Sequence, residues 1–337
     1  MGEDLLSLRG LKVSFRVGEE YYAAVDDVHY DIKKNETFAI VGESGCGKSA
    51  MAMSILQLHD SLFTKIEGEI NYQGRNLVEL TNNDLYKIRG KEIGMIFQDP
   101  LTALNPLHRI GKQIEEGLTY HTSMDKNERK TVAMRLLDEV GIPNPEVTYT
   151  SFPHELSGGM RQRIIIAIAL ACEPALLIAD EPTTALDVTI QAQILDLMRA
   201  LKKKRESSIL LITHDLGVVA EMADRVGVMY AGQIVELASV DELFHNPLHP
   251  YTRSLFSSMP RNANDGRLLT IQGSVPTLVR LPRSGCRFAS RIPWIGNDEH
   301  ESDPIIREVS DGHFVRCTCY KTFRFSDSEA HKKLMEG

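Results

Sequence analysis

The sequence predicts an α/β fold in which a parallel sheet carries a phosphate-binding site at the ends of its strands. Residues Thr37–Val41 form a short apolar run, a glycine-rich turn follows it, and residues 48–58 then have the spacing of a helix. Residues 175–179 and Ser208–Thr213 are two further apolar runs, typical of strands buried on both faces of a sheet. Strand, turn and helix in this order are the usual setting of a nucleotide site.

The rest of the chain alternates between strand and helix patterns. An apolar strand is expected at 93–98, and 126–140 places its apolar residues on one face of a helix. The region from about 100 to 165 is therefore mainly helical, with further helices expected at 160–172 and 190–204. Beyond about residue 240 the periodicity weakens and proline-containing turns indicate a carboxy-terminal appendage. The predicted domains are 1–240 and 241–337.

Composition and charge exclude several classes of protein. The 337 residues carry a formal net charge of −8, so the chain has no broad basic field and nucleic acid is a weak default partner. The strongest apolar stretch, 164–172, is far short of the roughly 20 residues that cross a bilayer. The amino terminus is acidic where a secretory signal is basic, and the five cysteines are sparse, so we expect reduced thiols and a cytoplasmic location.

The glycine-rich turn after the first apolar run fits the P-loop template completely. Its glycines let backbone N–H groups surround the β- and γ-phosphates, Lys48 neutralises charge, and Ser49 is placed to bind magnesium. A glycine-rich turn that precedes a helix by chance is the alternative, and the strand before it argues against that. The predicted ATP-binding residues are Gly42, Glu43, Ser44, Gly45, Cys46, Gly47, Lys48 and Ser49, with Ala50 contributing only its backbone N–H.

A second acidic component follows the apolar run 175–179. Asp180 is expected to hold magnesium through water, and Glu181 to polarise the attacking water as a general base. Alone, an apolar run followed by two acidic residues is more often a solvated strand end. Together with the P-loop, it indicates a hydrolytic site.

A second anion-binding helix start lies at Ser157, Gly158 and Gly159. Ser157 is the expected cap, and the two glycines expose backbone donors. The chain already has one phosphate-binding segment at Lys48, so this second one is expected to bind a nucleotide held by another subunit. It therefore predicts that two ATP molecules are sandwiched in a head-to-tail dimer. An ordinary serine-glycine cap is the alternative.

These motifs resemble the ATP-binding cassette (ABC) family over nearly all of residues 5–240. Residues 156–162 resemble its signature motif, with Met160 in place of the common glutamine, and 185–187 resemble its D-loop. The resemblance implies a P-loop ATPase with a helical subdomain and an amino-terminal antiparallel β region. It also implies roles for Gln98, which touches magnesium and water in the family, and for the switch histidine His214, which contacts the γ-phosphate.

Family members stack adenine on an aromatic side chain from the first strand region. Phe15 is the predicted stacking residue, and Tyr21 and Tyr22 are rivals. Simple packing of Phe15 explains its presence equally well.

Within the family, the chain resembles the ATPases of dipeptide and oligopeptide importers, a group that includes nickel importers. The resemblance lies in 97–106 and in the tail segments 249–255, 285–289 and 313–317. It implies a second, different ATPase subunit, two membrane permeases, an external solute-binding protein, and a place at the cytoplasmic face of the membrane. Nickel or another small solute is the alternative cargo.

Several relatives carry four tail cysteines that hold an iron–sulfur cluster. Here Cys286 and Cys317 match, the two intermediate positions fall on Ile292 and Glu299, and Cys319 is an extra thiol. Three cysteines could hold a metal with one outside ligand, but free thiols on a structural tail are the preferred interpretation.

Two rival functions share the phosphate chemistry. A nucleic-acid-linked ABC ATPase usually contains long coiled coils or a duplicated domain, and neither pattern occurs in the sequence. A non-catalytic ATP-binding regulator would lack Glu181 or His214, and the sequence has both.

Overall fold

Two β-sheets and the helices that cover them make up the described part of a computed structural model, residues 3–184, 186–257 and 273–325. The strands are β1 (Asp4–Val17), β2 (Glu20–Lys33), β3 (Thr37–Val41), β4 (Thr64–Tyr72), β5 (Arg75–Asn76), β6 (Ile93–Ile96), β7 (Leu176–Asp180), β8 (Ser208–Thr213), β9 (Arg225–Tyr230), β10 (Gln233–Ser239), β11 (Ile306–Ser310) and β12 (His313–Arg316). The helices are α1 (Lys48–Ile55), α2 (Asn82–Ile88), α3 (Pro100–Ala103), α4 (Ile110–His121), α5 (Lys126–Glu139), α6 (Pro145–Thr150), α7 (Gly158–Ala169), α8 (Val188–Arg205), α9 (Leu216–Met222), α10 (Val240–His245) and α11 (Pro250–Ser257).

The smaller sheet is antiparallel and has the strand order β2-β1-β4-β5. The long strands β1 and β2 are joined by a tight turn and pair Phe15 with Tyr22 close to that turn. This sheet is the amino-terminal antiparallel region that the family resemblance implies.

The larger sheet has the strand order β11-β12-β10-β9-β3-β8-β7-β6. Its centre is parallel, because β3 pairs in parallel with β8 and β9, and β7 pairs in parallel with β8 and β6. The predicted strands 37–41 and 208–213 are confirmed at their residue bounds. The strand predicted at 175–179 is shifted by one residue, and the strand predicted at 93–98 ends at Ile96 because the chain turns toward α3.

Both faces of the central strands are buried, as their unbroken apolar sequences require. In β3, Phe38 and Ile40 pack in the core between the two sheets, whereas Ala39 and Val41 pack in the core on the helical side. The strands β7 and β8 divide their side chains in the same alternating way. The sheet is therefore fixed from both sides, and the loops at its strand ends rest on a rigid base.

The region between β6 and β7 is helical, as predicted. Helix α5 begins at a capping box, in which the Asp125 side chain accepts hydrogen bonds from the first turn and the Glu128 side chain accepts the backbone N–H of Asp125. Its carboxy-terminal residue Glu139 binds Lys204 and Arg205 of α8, which fastens this helical region to the central domain. None of the described helices is long and apolar enough to cross a membrane.

The carboxy-terminal tail does not stand apart from the central sheet. Strand β12 pairs with β10, and β11 extends the sheet by one more strand. The buried carboxylate of Glu236 in β10 binds His313 of β12 and accepts the backbone N–H groups of Leu248 and His249. The tail thus continues the sheet across residue 240, and the division into 1–240 and 241–337 stays a prediction.

Candidate nucleotide-hydrolysis site

Four strands bring the predicted site residues to one edge of the central sheet. The loop that contains Lys48 follows β3, Gln98 follows β6, Asp180 ends β7, and His214 follows β8. Because these strands are parallel, their carboxyl ends open on the same crevice, where α/β proteins place their ligands.

The glycines of the loop allow an approach that no side chain permits. Gly47 has a left-handed φ of 105°, and a Cβ there would lie 2.6 Å from the carbonyl oxygen of Ala24. At Gly42 a Cβ would lie 2.1 Å from the carbonyl oxygen of Met229. The loop is therefore pressed against β2 and β9, and its shape depends on these two glycines.

The lysine of the loop is buried inside the turn it closes. The Nζ of Lys48 donates hydrogen bonds of 2.7 Å to the carbonyl oxygen of Gly42 and 3.0 Å to that of Glu43. Helix α1 begins at Lys48 without a side-chain cap from Gly47 and without an acidic residue in its first turn. The first-turn N–H groups, including that of Ala50, are therefore suited to an anion.

Ser49 and Asp180 form a pair of oxygen ligands suited to magnesium. The Oγ of Ser49 donates a 3.0 Å hydrogen bond to Oδ1 of Asp180, which is 4% exposed. Burial raises the pKa of the Asp180 carboxyl, and the hydrogen bond from Ser49 opposes this shift. Magnesium prefers such hydroxyl and carboxylate oxygens, and a cation would satisfy the buried acid, so the residues present fit the metal.

The carboxylate of Glu181 is surrounded by polar groups from three other residues. Its Oε2 accepts hydrogen bonds from Gln98 Nε2 at 2.9 Å and from Thr184 Oγ1 at 2.8 Å, and its Oε1 lies 3.3 Å from Nδ1 of His214. Burial opposes ionisation, but the hydrogen bonds from Thr184 and His214 outweigh it, so the pKa of Glu181 is lowered. The group is ionised at neutral pH, as a general base requires.

Sequence reasoning missed Thr184 as a contact of this carboxylate. The signal was present, because a hydroxyl residue stands three positions after Glu181 in a turn, where its side chain can reach back. Of the predicted D-loop, residue 185 lies outside the described residues, and Asp187 accepts the N–H of Ile190 as the cap of α8.

Ser157, Gly158 and Gly159 form an exposed helix start, as the sequence predicted. Ser157 Oγ accepts the backbone N–H of Met160 at 3.3 Å, and the first turn of α7 contains no acidic residue. A Cβ at Gly158 would meet no atom within 4 Å, so this turn faces open space. Within the described chain, the hydrogen bonds of Ser157 stay in its own helix and do not reach the Lys48 loop.

Phe15 lies close to α1, at the same end of the smaller sheet as Tyr21 and Tyr22. Its ring packs edge-on against His59 at 5.1 Å between centroids, and His59 Nε2 is 2.8 Å from the carbonyl oxygen of Ala50. Tyr21 lies under the Lys65 ammonium, and Tyr22 pairs with Phe15 across the two strands. All three aromatics occupy the same end of the smaller sheet, so the stacking role of Phe15 stays a prediction.

The tail contacts the phosphate loop, which the sequence did not predict. Tyr251 of α11 accepts the backbone N–H of Glu43 at 2.9 Å, and the buried guanidinium of Arg291 binds the Glu43 carboxylate through two hydrogen bonds. Ser44 at the tip of the loop is exposed, whereas Cys46 is buried, which raises its pKa. The tail thus supports one side of the loop.

Comparison with known proteins gives matches along almost the whole chain. The sequence model of the ABC transporter family matches residues 25–184, and that of the oligopeptide/dipeptide transporter C-terminal region matches residues 235–294. The oligopeptide transport ATP-binding protein OppD of Lactococcus lactis subsp. cremoris is 48% identical over 97% of this chain and 97% of its own. AppD of Bacillus subtilis, also an oligopeptide transport ATP-binding protein, is 52% identical over 94% of this chain and 97% of its own.

A solved structure resembles the central part of the chain. The dimeric ATP-binding cassette MJ0796, in a post-hydrolysis state bound to ADP and Pi, superposes with a TM-score of 0.63 at 30% sequence identity. The match covers 70% of this chain and 98% of that one.

Proposed function

The chain belongs to the ABC transporter family, and we propose that it hydrolyses ATP at the Lys48–Glu181 crevice to drive the import of peptides through separate membrane subunits. The observation that carries the proposal is the setting of Glu181. Its ionised carboxylate lies among Gln98, Thr184 and His214 at the sheet edge that also holds the phosphate loop. The names of its relatives, which are oligopeptide transport ATP-binding proteins, agree with ATP binding and peptide transport.

Binding of ATP uses the groups at the start of α1. When a triphosphate enters, the Lys48 ammonium can exchange its hydrogen bonds to the Gly42 and Glu43 carbonyls for phosphate oxygens. The N–H groups of the first turn supply neutral donors around the same anion. Ser49 and Asp180 would hold magnesium, which would supply positive charge beside the phosphate oxygens.

Hydrolysis uses Glu181 as the proton acceptor. A water oxygen attacks the γ-phosphorus, the bond to the β–γ bridging oxygen breaks, and its electron pair leaves with ADP. The water proton passes to the Glu181 carboxylate, which is ionised before the step. Lys48 stabilises charge on the phosphate oxygens. His214 lies beside the Glu181 carboxylate, where it can hold the orientation of that carboxylate or contact the γ-phosphate next to it.

The exposed helix start at Ser157 completes a site on another subunit. It presents donors without acidic neighbours and faces open space, so it is free to bind a phosphate held by a second ATPase. In a head-to-tail pair with a different ATPase subunit, each nucleotide lies between the phosphate loop of one chain and the helix start of the other chain that corresponds to Ser157.

The remaining partners are two membrane permeases and an external solute-binding protein that delivers the cargo to them. Exposed apolar side chains lie beside Gln98 and in the helical region that follows it, at Phe97, Leu107 and Tyr120. We place the permease contact on this region, which positions the chain on the cytoplasmic face of the membrane. A permease docked there can act on Glu181 through Gln98.

Two experiments test the proposal. Co-purification from detergent-solubilised membranes should yield two multi-span permeases and a second ATPase, whereas ribosomes or DNA would favour the nucleic-acid rival. Uptake of labelled di- to hexapeptides should fall in cells lacking this gene and return with the wild-type gene but not with Lys48→Ala. Loss of nickel uptake alone would transfer the cargo assignment to nickel, and unchanged uptake of both would refute import of either.

A further inference from the structure

Three separate segments of the tail bring thiol and imidazole groups to one point. The Sγ atoms of Cys286 and Cys317 and a ring nitrogen of His300 all lie within 4.8 Å of one another. The Sγ of Cys319 lies 3.2 Å from that of Cys317. All three cysteines are free thiols, and Cys317 and Cys319 are almost fully buried.

One buried polar atom of this cluster lacks a hydrogen-bond partner. The Nδ1 of His300 is buried and has no hydrogen-bond partner within the described residues. Leaving a buried nitrogen unpaired is unfavourable, so the site favours a ligand for it. The Cys319 backbone N–H donates to Cys317 Sγ at 3.4 Å, a contact that stabilises a thiolate.

The donor set selects the metal. Zinc binds thiolate at about 2.3 Å in tetrahedral sites, which places two sulfur ligands about 3.8 Å apart. The Sγ atoms of Cys317 and Cys319 are closer, at 3.2 Å, so these two thiols would move slightly apart to bind one ion. Iron–sulfur clusters are usually held by four thiolates, but residues 292 and 299 are isoleucine and glutamate here. A disulfide between Cys317 and Cys319 would leave Cys286 and His300 unpaired.

We propose that Cys286, His300, Cys317 and Cys319 together bind one zinc ion in a closed, structural Cys₃His site. His300 is the outside ligand that the three cysteines need. Sequence reasoning did not identify His300 as a ligand, because it neither matches a cysteine position nor belongs to a spaced metal motif. The site goes beyond ATP hydrolysis and stands independently of it.

The zinc ion would cross-link a part of the tail that has little regular structure. Cys286 and His300 bracket a segment that contains Arg287 and Arg291, whereas Cys317 directly follows β12. Arg287 binds Asp26 and Arg291 binds Glu43, so this segment rests against the phosphate loop. Fixing both of its ends to β12 would hold the two arginines in place. A structural zinc site of this kind contributes directly to folding free energy.

Metal analysis of the purified full-length chain tests the proposal. The chain is prepared with a non-histidine affinity tag, and zinc, iron and acid-labile sulfide are measured. We expect about one zinc per chain with neither iron nor sulfide. Zinc should fall at least fivefold in Cys319→Ser and His300→Ala, and remain in Cys172→Ala, the control for a thiol outside the cluster.

Two further measurements separate loss of metal from loss of fold. His300→Cys should retain zinc, because a fourth thiolate replaces the imidazole. Wild-type chain loaded with cobalt should show thiolate charge-transfer bands and the strong visible absorption of tetrahedral cobalt. Removal of zinc by a chelator should lower the Tm of the wild type by about 5 °C or more, and leave that of Cys319→Ser unchanged.

Three results would overturn the zinc site. The first is iron with sulfide in place of zinc, and the second is a metal-free wild-type chain with a Cys317–Cys319 disulfide. The third is zinc content that is the same in wild type, Cys319→Ser and His300→Ala, which identifies surface-bound zinc only.

Discussion

Replacement of Glu181 by glutamine should stop ATP cleavage while leaving ATP binding intact. The amide fills the same space and can still accept the hydrogen bond from Thr184, so the crevice keeps its shape. It cannot accept a proton from water. Loss of a general base lowers a rate by about 10²- to 10⁴-fold, which corresponds to about 3 to 5 kcal/mol in the activation barrier.

The assay for this prediction compares phosphate release and ATP binding in the same preparations. In Glu181→Gln, kcat should fall at least about 100-fold, whereas the dissociation constant for ATP should change less than about threefold, because the Lys48 loop is untouched. Glu116→Gln, which removes an exposed carboxylate from α4, is the matched control and should behave as wild type. A Glu181→Gln chain with kcat within threefold of wild type would refute the assignment of the base.

Three more predictions address the phosphate-binding helix start at Ser157, the contact of Arg291 with the phosphate loop, and the attachment of the helical region through Glu139. Gly158→Glu should leave ATP binding to the isolated chain unchanged but lower the ATPase rate of the assembled transporter at least tenfold, because a carboxylate then faces the phosphate of the partner's nucleotide; a normal rate would argue against phosphate binding at this helix start. Arg291→Ala should weaken ATP binding about 5- to 30-fold, because it leaves the Glu43 carboxylate unpaired beside the loop. Adding Glu43→Gln to the same chain should restore most of the lost affinity for ATP, which titration calorimetry can measure. Hydrogen bonds from Lys204 and Arg205 outweigh burial and lower the pKa of Glu139. The contribution of Glu139 to stability is therefore present above the ordinary carboxyl pKa and is lost as pH falls through the lowered value. Urea unfolding should show that Glu139→Gln costs about 1 to 3 kcal/mol at pH 7 and much less near pH 3, and an equal cost at both pH values would contradict this.

The parts of the fold and site that the sequence predicted are those encoded in short stretches. The phosphate loop, the acidic pair at Asp180 and the cap at Ser157 each depend on a few consecutive residues whose backbone preferences are strong. Four strands of the central sheet, β3, β6, β7 and β8, were found within one or two residues because their sequences are short unbroken apolar runs, whereas β9 and β10 were not predicted. Helix ends were less accurate, and the helix predicted at 160–172 spans Gly158–Ala169 instead.

The contacts that the sequence did not predict join residues far apart in the chain. Arg291 reaches Glu43 across 248 positions, and His300 meets Cys286 and Cys317 only because β12 joins the central sheet. No local periodicity encodes such meetings. Thr184 could have been found from the sequence, because it stands only three residues after Glu181, to which its hydroxyl donates a hydrogen bond.

A cryo-EM structure of the assembled transporter, containing the Glu181→Gln chain and bound Mg-ATP, would test the shared nucleotide site most directly. We expect a triphosphate in the Lys48 loop of this chain, and Ser157 within hydrogen-bonding reach of a γ-phosphate held by the second ATPase subunit. A map with both nucleotides bound and Ser157 exposed to solvent, remote from either triphosphate, would contradict it.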